Sequence, residues 1–145
     1  MLTVIQRVSE ARVIIDDKTV GEINKGLLIF CGFDPVDTLN TLDRMIEKCI
    51  NYRIFEDDYG KMNLSLQEID GELLLVPQFT IMADTQKGLR PSFSRAASPE
   101  YSRELFSELI NKTKMRYPKT QNGCFGANMQ VQLCNEGPAT FLLEF

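Results

Sequence analysis

The sequence predicts an α+β fold with mainly antiparallel strands and two main helices, in a single domain over residues 1–145. Three observations predict this class. Apolar runs of strand length recur along the chain, one longer stretch repeats its apolar residues at helical spacing while another begins with the residues of a helix N-terminus, and no linker or internal repeat separates these elements. A chain of this length can bury about two-thirds of its unfolded surface in one core.

The N-terminal part predicts strands. Residues 2–8 alternate well enough for a first strand, and "ARVIID" continues as a second extended run. "DDKTVGEI" reads as a turn with a short return strand. "KGLLIFCGF" is continuously apolar, so we expect a central strand that is buried on both faces.

The stretch "DPVDTLNTLDRMIEKCIN" changes to a helical period. One stripe at this spacing carries Leu39, Leu42, Ile46, Cys49 and Ile50. Asp34 or Asp37 is available as the N-cap residue. We therefore expect a surface helix that lies on the sheet.

The middle of the chain predicts further strands. "YRIFED" reads as a strand that ends in a turn, and "KMNLSLQEIDG" is short and partly extended. "ELLLVPQFT" predicts another buried strand, in which Pro77 implies that pairing stops or that the N–H side is open. Residues 82–97 read as a loop of polar and small residues.

The last third predicts a helix and two strands. "SPEYSRELFSELINKTKMRY" has Ser98 for the N-cap and Pro99 for the first helical position. "CFGANMQVQLC" and "ATFLLEF" then read as two strands. Between them lies "NEGPAT", which should break a strand because glycine weakens it and proline cannot donate to the ladder.

The composition excludes several kinds of site. The chain has no histidine, so a Ser-His-Asp triad, a Cys-His pair and a histidine metal site are all impossible. Its four cysteines form no C-x-x-C pair, so we expect no structural zinc and mainly reduced, structural thiols. Arg7 and Glu10 interrupt the start before a signal peptide could develop, which predicts a soluble, cytoplasmic protein with no membrane partner.

Charge is distributed unevenly along the chain. The net charge is −4, yet the segment from Lys87 to Lys119 has eight basic and three acidic side chains. This basic segment could contact a phosphate backbone locally while the rest of the chain stays acidic. The alternative is an ordinary solvated helix with its flanking loops.

Polar residues, glycine and proline are concentrated in three stretches beyond what the fold alone requires. They are "PQFTIMAD", "TQKGLRPSF" and "NEGPAT". Each alone has an ordinary interpretation, because a threonine after a strand is usually structural and a Gly-Pro pair is usually a turn. Together they resemble the D-aminoacyl-tRNA deacylase family. The resemblance extends over the chain, from "IQRVSEARV" through "NYRIFEDDYGKMNLSL" to "FGANMQVQLCNEGPAT".

Two family signatures carry this resemblance. The first, Ser-Gln-Phe-Thr, matches Gln78, Phe79 and Thr80 but departs at Pro77, where serine is usual. The second, Asn-x-Gly-Pro-x-Thr, matches Asn135, Gly137, Pro138 and Thr140, with Ala139 where valine is commoner.

The resemblance implies a carboxylic ester hydrolase with a barrel-like sheet core and no metal or other cofactor. Such an enzyme cleaves a D-amino acid from the 3′ end of tRNA, a chiral proofreading step. It also implies a homodimer with the active site at the subunit interface. There a cis Gly137–Pro138 bond directs its carbonyls into the partner's pocket and rejects L-residues, and glycyl-tRNA is expected to be a substrate because glycine has no side chain to reject.

The resemblance also assigns roles to single residues. Gln78, Phe79 and Thr80 are expected to be catalytic. Because an aminoacyl ester is already activated, we expect backbone N–H groups around Phe79 and Thr80 to stabilise the oxyanion and Gln78 to orient the substrate. Thr80 is a nucleophile or a positioning group, and the lack of an evident base in the sequence favours positioning. The expected supporting and pocket residues are Arg7, which holds the Gly-Pro element, Phe125 and Met129, which line the pocket for the terminal adenosine, and Asn135 of the second signature.

Two other functions stay open at this point. One is a dimeric RNA-binding protein without chemistry, which would use the basic residues around Lys112–Arg116. The other is a hydrolase of small D-amino acid esters that needs no RNA.

Overall fold

The computed structural model describes residues 1–86 and 88–145, so Lys87 of the basic segment lies outside the described residues. A 3₁₀ turn, Phe79–Met82, follows the sixth strand. The strands are β1 (Leu2–Ile15), β2 (Lys18–Ile23), β3 (Gly26–Gly32), β4 (Phe55–Glu56), β5 (Met62–Leu64), β6 (Glu72–Pro77), β7 (Thr120–Asn122) and β8 (Gln130–Glu144), and the helices are α1 (Leu39–Ile50) and α2 (Pro99–Arg116).

Strand β1 is the centre of a six-stranded sheet. Its first half pairs antiparallel with β3 and its second half with β2, while β8 pairs antiparallel along its other edge. Strands β6 and β7 continue the sheet in parallel beyond β3. Because β2 also contacts β6 and β7, the sheet curls toward a barrel. The predicted α+β fold with a sheet core and two helices is confirmed.

Apolar side chains fill both faces of the sheet. One cluster lies between the sheet and the two helices and includes Leu27 and Ile29 of β3. A second cluster on the opposite face includes Leu28 of the same strand. Because successive side chains of a strand point to opposite faces, β3 is buried on both, as its apolar run predicts.

The strands differ from the prediction in several places. Strand β7 was not predicted, and the run "CFGANMQVQLC" is a strand only from Gln130 onward. Strand β1 is continuous where two runs were expected, and "YRIFED" contributes only Phe55–Glu56 as a strand. Strand β8 also continues through "NEGPAT", because pairing with β1 resumes on both sides of Gly137–Pro138 with shifts of register. Such bulges let an extra residue leave the ladder without ending the strand.

The start of α1 also differs from the prediction. The N-cap is Thr38, whose backbone N–H donates to Thr41 Oγ1 at 3.1 Å, and neither Asp34 nor Asp37 has that role. Asp37 is buried and accepts instead from the Asp34 N–H at 2.7 Å. Leu39 of the predicted stripe is 49% exposed, and Met45 is buried with the other four members.

Helix α2 begins as predicted. Pro99 occupies its first turn, and Ser98 Oγ accepts from the Tyr101 N–H at 3.2 Å. Within the described ranges, no helix is long and apolar enough to cross a membrane.

All four cysteines are free thiols, but only two of them are in the interior. Cys31 and Cys49 are buried, and burial raises the pKa of the Cys49 thiol to about 12 and that of Cys31 well above its ordinary value. Cys124 and Cys134 are exposed, so the expectation of structural thiols holds for one pair only.

Candidate active site

A cavity of about 600 Å³ opens where β6 ends. Its walls come from the 3₁₀ turn, the first turns of α2 and the loop that precedes β8. Four of the predicted site residues line it together, namely Gln78, Phe79, Phe125 and Met129. Cavities of about this volume hold ligands of nucleoside size.

The end of β6 positions the Gln-Phe-Thr motif. Pro77 is the last residue of the strand and lines the cavity, and the Gln78 N–H adds one more bond, to the Cys31 carbonyl at 2.8 Å. The chain then bends into the 3₁₀ turn, and the Gln78 side-chain amide donates to the Thr80 hydroxyl. Both groups therefore face the same side of the turn.

Phe79 and Thr80 both lie at the surface of the turn. The Phe79 side chain is 56% exposed and packs against Phe93, with 5.0 Å between the ring centroids. The backbone N–H groups of Phe79 and Thr80 find no acceptor among the described residues, as is usual for the first turn of a helix. These two N–H groups are therefore available to a ligand.

The opposite wall is the loop with Phe125 and Met129. The Cys124 N–H donates to Met129 Sδ at 3.3 Å, which ties the two ends of the loop together. The guanidinium of Arg103 lies 5.2 Å from the centre of the Phe125 ring. Sequence reasoning did not single out Arg103; the available signal was its position four residues after Pro99, which places both on one face of α2.

The Gly137–Pro138 segment is rigidly held. Its peptide bond is cis, and Gly137 has φ +117°. The Asn135 side chain spans the bend, because Oδ1 accepts from the Ala139 N–H at 3.2 Å and Nδ2 donates to Thr140 Oγ1 at 2.9 Å. Gly137 and Pro138 are exposed and are not among the residues that line the cavity of their own chain.

The buried side chain of Arg7 holds the Gly137–Pro138 segment through a hydrogen bond to the residue before it. Its side chain is 3% exposed, Nε donates to the Glu136 carbonyl at 3.2 Å, and Nη1 donates to the Ile54 carbonyl at 2.8 Å. The Glu56 carboxylate lies 3.5 Å from Nη2. The buried cation thus has acceptors on each side, which burial of a charge requires.

Three of the four cations between residues 112 and 119 form ion pairs within the chain. Lys112 pairs with Asp43 at 2.9 Å, Lys119 pairs with Asp70 at 2.6 Å, and Arg116 pairs with Glu47. These three side chains are therefore less available to a phosphate backbone than the sequence count indicates.

The fold and its two motifs define an ester hydrolase of the deacylase class. The family model described as D-Tyr-tRNA(Tyr) deacylase matches residues 4–144, and the chain belongs to this family. The predicted family is confirmed, and with it the prediction of an enzyme that hydrolyses an ester bond.

Individual relatives agree with this assignment. The chain is 69% identical over 145 residues to a D-aminoacyl-tRNA deacylase of Legionella pneumophila (strain Corby), with 100% of both chains covered. It is 52% identical over 141 residues to one of Francisella tularensis subsp. tularensis (strain WY96-3418), with 97% of each covered. A solved structure named c-Myc DNA Unwinding Element Binding Protein matches with a TM-score of 0.94 and 33% identity, covering 100% of this chain and 99% of that one.

The contact between Gly137 and Arg7 predicts the effect of a substitution. A Cβ at residue 137 would lie 2.7 Å from Arg7 Nη2, and Arg7 cannot move without breaking its buried hydrogen bonds. Gly60 also has a positive φ, of +72°, but a Cβ there would meet nothing within 4 Å. We expect Gly60→Ala to lower the free energy of unfolding by about 1–2 kcal/mol, the cost of the backbone conformation alone.

Gly137→Ala should lower the free energy of unfolding by at least about 1 kcal/mol more than Gly60→Ala does, because the Cβ at residue 137 also displaces a buried, paired cation. Urea unfolding of both variants measures the difference. Equal losses would show that Arg7 yields freely and does not hold the segment.

Proposed function

We propose that the chain hydrolyses the ester between a D-amino acid and the 3′ end of tRNA, that it rejects L-aminoacyl-tRNA, and that it also cleaves glycyl-tRNA. The observation that carries the proposal is the shared cavity of Gln78, Phe79, Phe125 and Met129. The family assignment and the names of the two relatives support the choice of substrate. A tRNA substrate also favours a cytoplasmic enzyme.

In the proposed complex the terminal adenosine of the tRNA lies in the cavity between Phe125 and Met129. An aromatic ring and a thioether suit a nucleobase, because both make favourable contacts with its π face. The ester on the ribose then reaches the turn that carries Gln78 and Thr80. The site thereby holds an already activated acyl group in one orientation.

Hydrolysis at this turn needs no histidine. Water attacks the ester carbonyl carbon, the bond from that carbon to the ribose oxygen breaks, and the products are a free D-amino acid and the tRNA hydroxyl. The N–H groups of Phe79 and Thr80 donate to the developing oxyanion, while the Gln78 side chain orients the substrate. The terminal 2′-hydroxyl of the tRNA assists the attack.

Thr80 fits a positioning role better than a nucleophilic one. Its hydroxyl accepts a hydrogen bond from the Gln78 amide, and no carboxylate or lysine hydrogen-bonds to it in the described part of the chain. A threonine nucleophile requires a neighbouring base to take its proton.

In this proposal, Gly137 and Pro138 of a second copy in a homodimer discriminate between D- and L-amino acids. The segment is exposed, lies outside the cavity of its own chain, and is held by Asn135 and Arg7. A wall of backbone carbonyls cannot be altered by a rotamer change, so an L side chain meets a lasting clash. Glycine has no side chain to clash, and rejection of this kind can be stronger than positive recognition of a side chain.

The direct test compares tRNA charged with D-tyrosine and with L-tyrosine, each with a chelator present. We expect release of D-tyrosine only, at a rate that the chelator does not change. Binding of tRNA without release would favour an RNA-binding protein without chemistry. Equal rates on a free D-tyrosine ester and on D-tyrosyl-tRNA would favour a small-ester hydrolase.

Replacement of Thr80 separates the two roles of its hydroxyl. If the hydroxyl only positions the substrate, Thr80→Ala should lower kcat/KM by less than about 10³-fold, the range for loss of one positioned hydrogen-bonding group. Thr80→Ser retains the hydroxyl and serves as the control. Loss of all measurable activity in Thr80→Ala, with activity retained in Thr80→Ser, would identify Thr80 as the nucleophile.

A further inference from the structure

The rim of the cavity carries an arginine, Arg103, that belongs to neither signature motif. Of the described residues that line the cavity, Arg103 alone is charged, and no carboxylate is among them. Its side chain is exposed although it lines the cavity, so the guanidinium lies at the mouth. A ligand that enters the cavity must pass it.

Arg103 differs from two of the other cations of α2 in having no acceptor for its side chain. Lys112 and Arg116 pair with carboxylates of α1, whereas no ion pair or side-chain hydrogen bond joins the Arg103 guanidinium to another residue in the ranges 1–86 and 88–145. The guanidinium lies over the Phe125 ring, 5.2 Å from its centre. A cation–π contact of this length holds a guanidinium in place while leaving its N–H donors free.

We propose that Arg103 binds the phosphate on the 5′ side of the terminal adenosine. The inference rests on the proposed function, which places that adenosine against Phe125. With the ester at the Gln78–Thr80 turn, the rest of the tRNA leaves the nucleoside through its 5′ phosphate, at the mouth of the cavity. A planar guanidinium can bind two phosphate oxygens at once, which makes arginine well suited to this contact.

The loop beside Arg103 has a glycine next to the guanidinium. Gly126 has φ +79°, and a Cβ at this residue would lie 3.7 Å from Arg103 Nη2. A larger residue would therefore occupy the space next to the free donors. An uncharged cavity with one cation at its mouth suits a nucleotide better than a nucleoside.

Binding of adenosine and of adenosine 5′-monophosphate tests the proposal without reference to catalysis. The two ligands differ only in the phosphate, and NMR titration measures their dissociation constants even where binding is weak. We expect the wild-type chain to bind the monophosphate at least about 10-fold more tightly, the effect of one charge-assisted hydrogen-bonding contact. Arg103→Gln should reduce this preference to about 1 while adenosine affinity stays the same.

Arg44→Gln is the matched control, because Arg44 is an exposed helical arginine of α1 that does not line the cavity. It should retain the full preference for the monophosphate. An unchanged preference for the monophosphate in Arg103→Gln would overturn the proposal. An equal loss of affinity for both ligands would also overturn it, and would show that Arg103 acts only by packing against Phe125.

The same measurements distinguish failure of this inference from failure of the proposed function. If the wild-type chain binds adenosine but does not release D-tyrosine from tRNA, the deacylase proposal fails. The affinities for adenosine and for its 5′-monophosphate still test the contact between Arg103 and the phosphate. If it binds neither ligand, the nucleoside cavity and the Arg103 proposal are both wrong.

Discussion

The buried guanidinium of Arg7 is the interaction on which the candidate site depends. A cation removed from water costs several kcal/mol unless it is paired, and Arg7 finds its acceptors on Glu136, Ile54 and Glu56. Arg7 belongs to the central strand β1, so the exposed Gly-Pro segment is tied to the middle of the sheet. Under the proposed function the segment selects by shape, which requires that it does not move, and the attachment to Arg7 would supply that rigidity.

The two signature motifs lie apart within one chain. The Gln-Phe-Thr turn lines the cavity, whereas Gly137 and Pro138 are exposed and line no part of it. Neither motif forms a complete site alone under the proposed function. Association of two copies would bring a cavity and a Gly-Pro segment together twice, because a two-fold interface repeats each contact.

The sequence predicts the features that depend on local pattern. The buried strand β3 follows from its apolar run, and the start of α2 follows from Ser98 and Pro99. The features it misses depend on distant partners. Strand β8 continues through Gly137–Pro138 because it pairs with β1 on both sides of the bend. Asp37 does not cap helix α1 because its side chain is buried in other contacts. The short polar strand β7 exists only because β6 offers it an edge.

The same distinction applies to the site. The motifs identify Gln78 and Thr80 as neighbours in sequence, but their hydrogen bond and the exposed N–H groups of the turn need the structure. Similarly, charge counting cannot show that Lys112 is paired and that Arg103 is not.

The position of the Gly137–Pro138 segment relative to bound substrate can be measured in a crystal structure with a non-hydrolysable D-tyrosyl-adenosine analogue. We predict a carbonyl oxygen of Gly137 or Pro138 of the partner subunit about 4 Å or less from the ligand Cα, in van der Waals contact. A bound ligand with that segment of both subunits facing bulk solvent would show that the Gly-Pro backbone does not select the substrate.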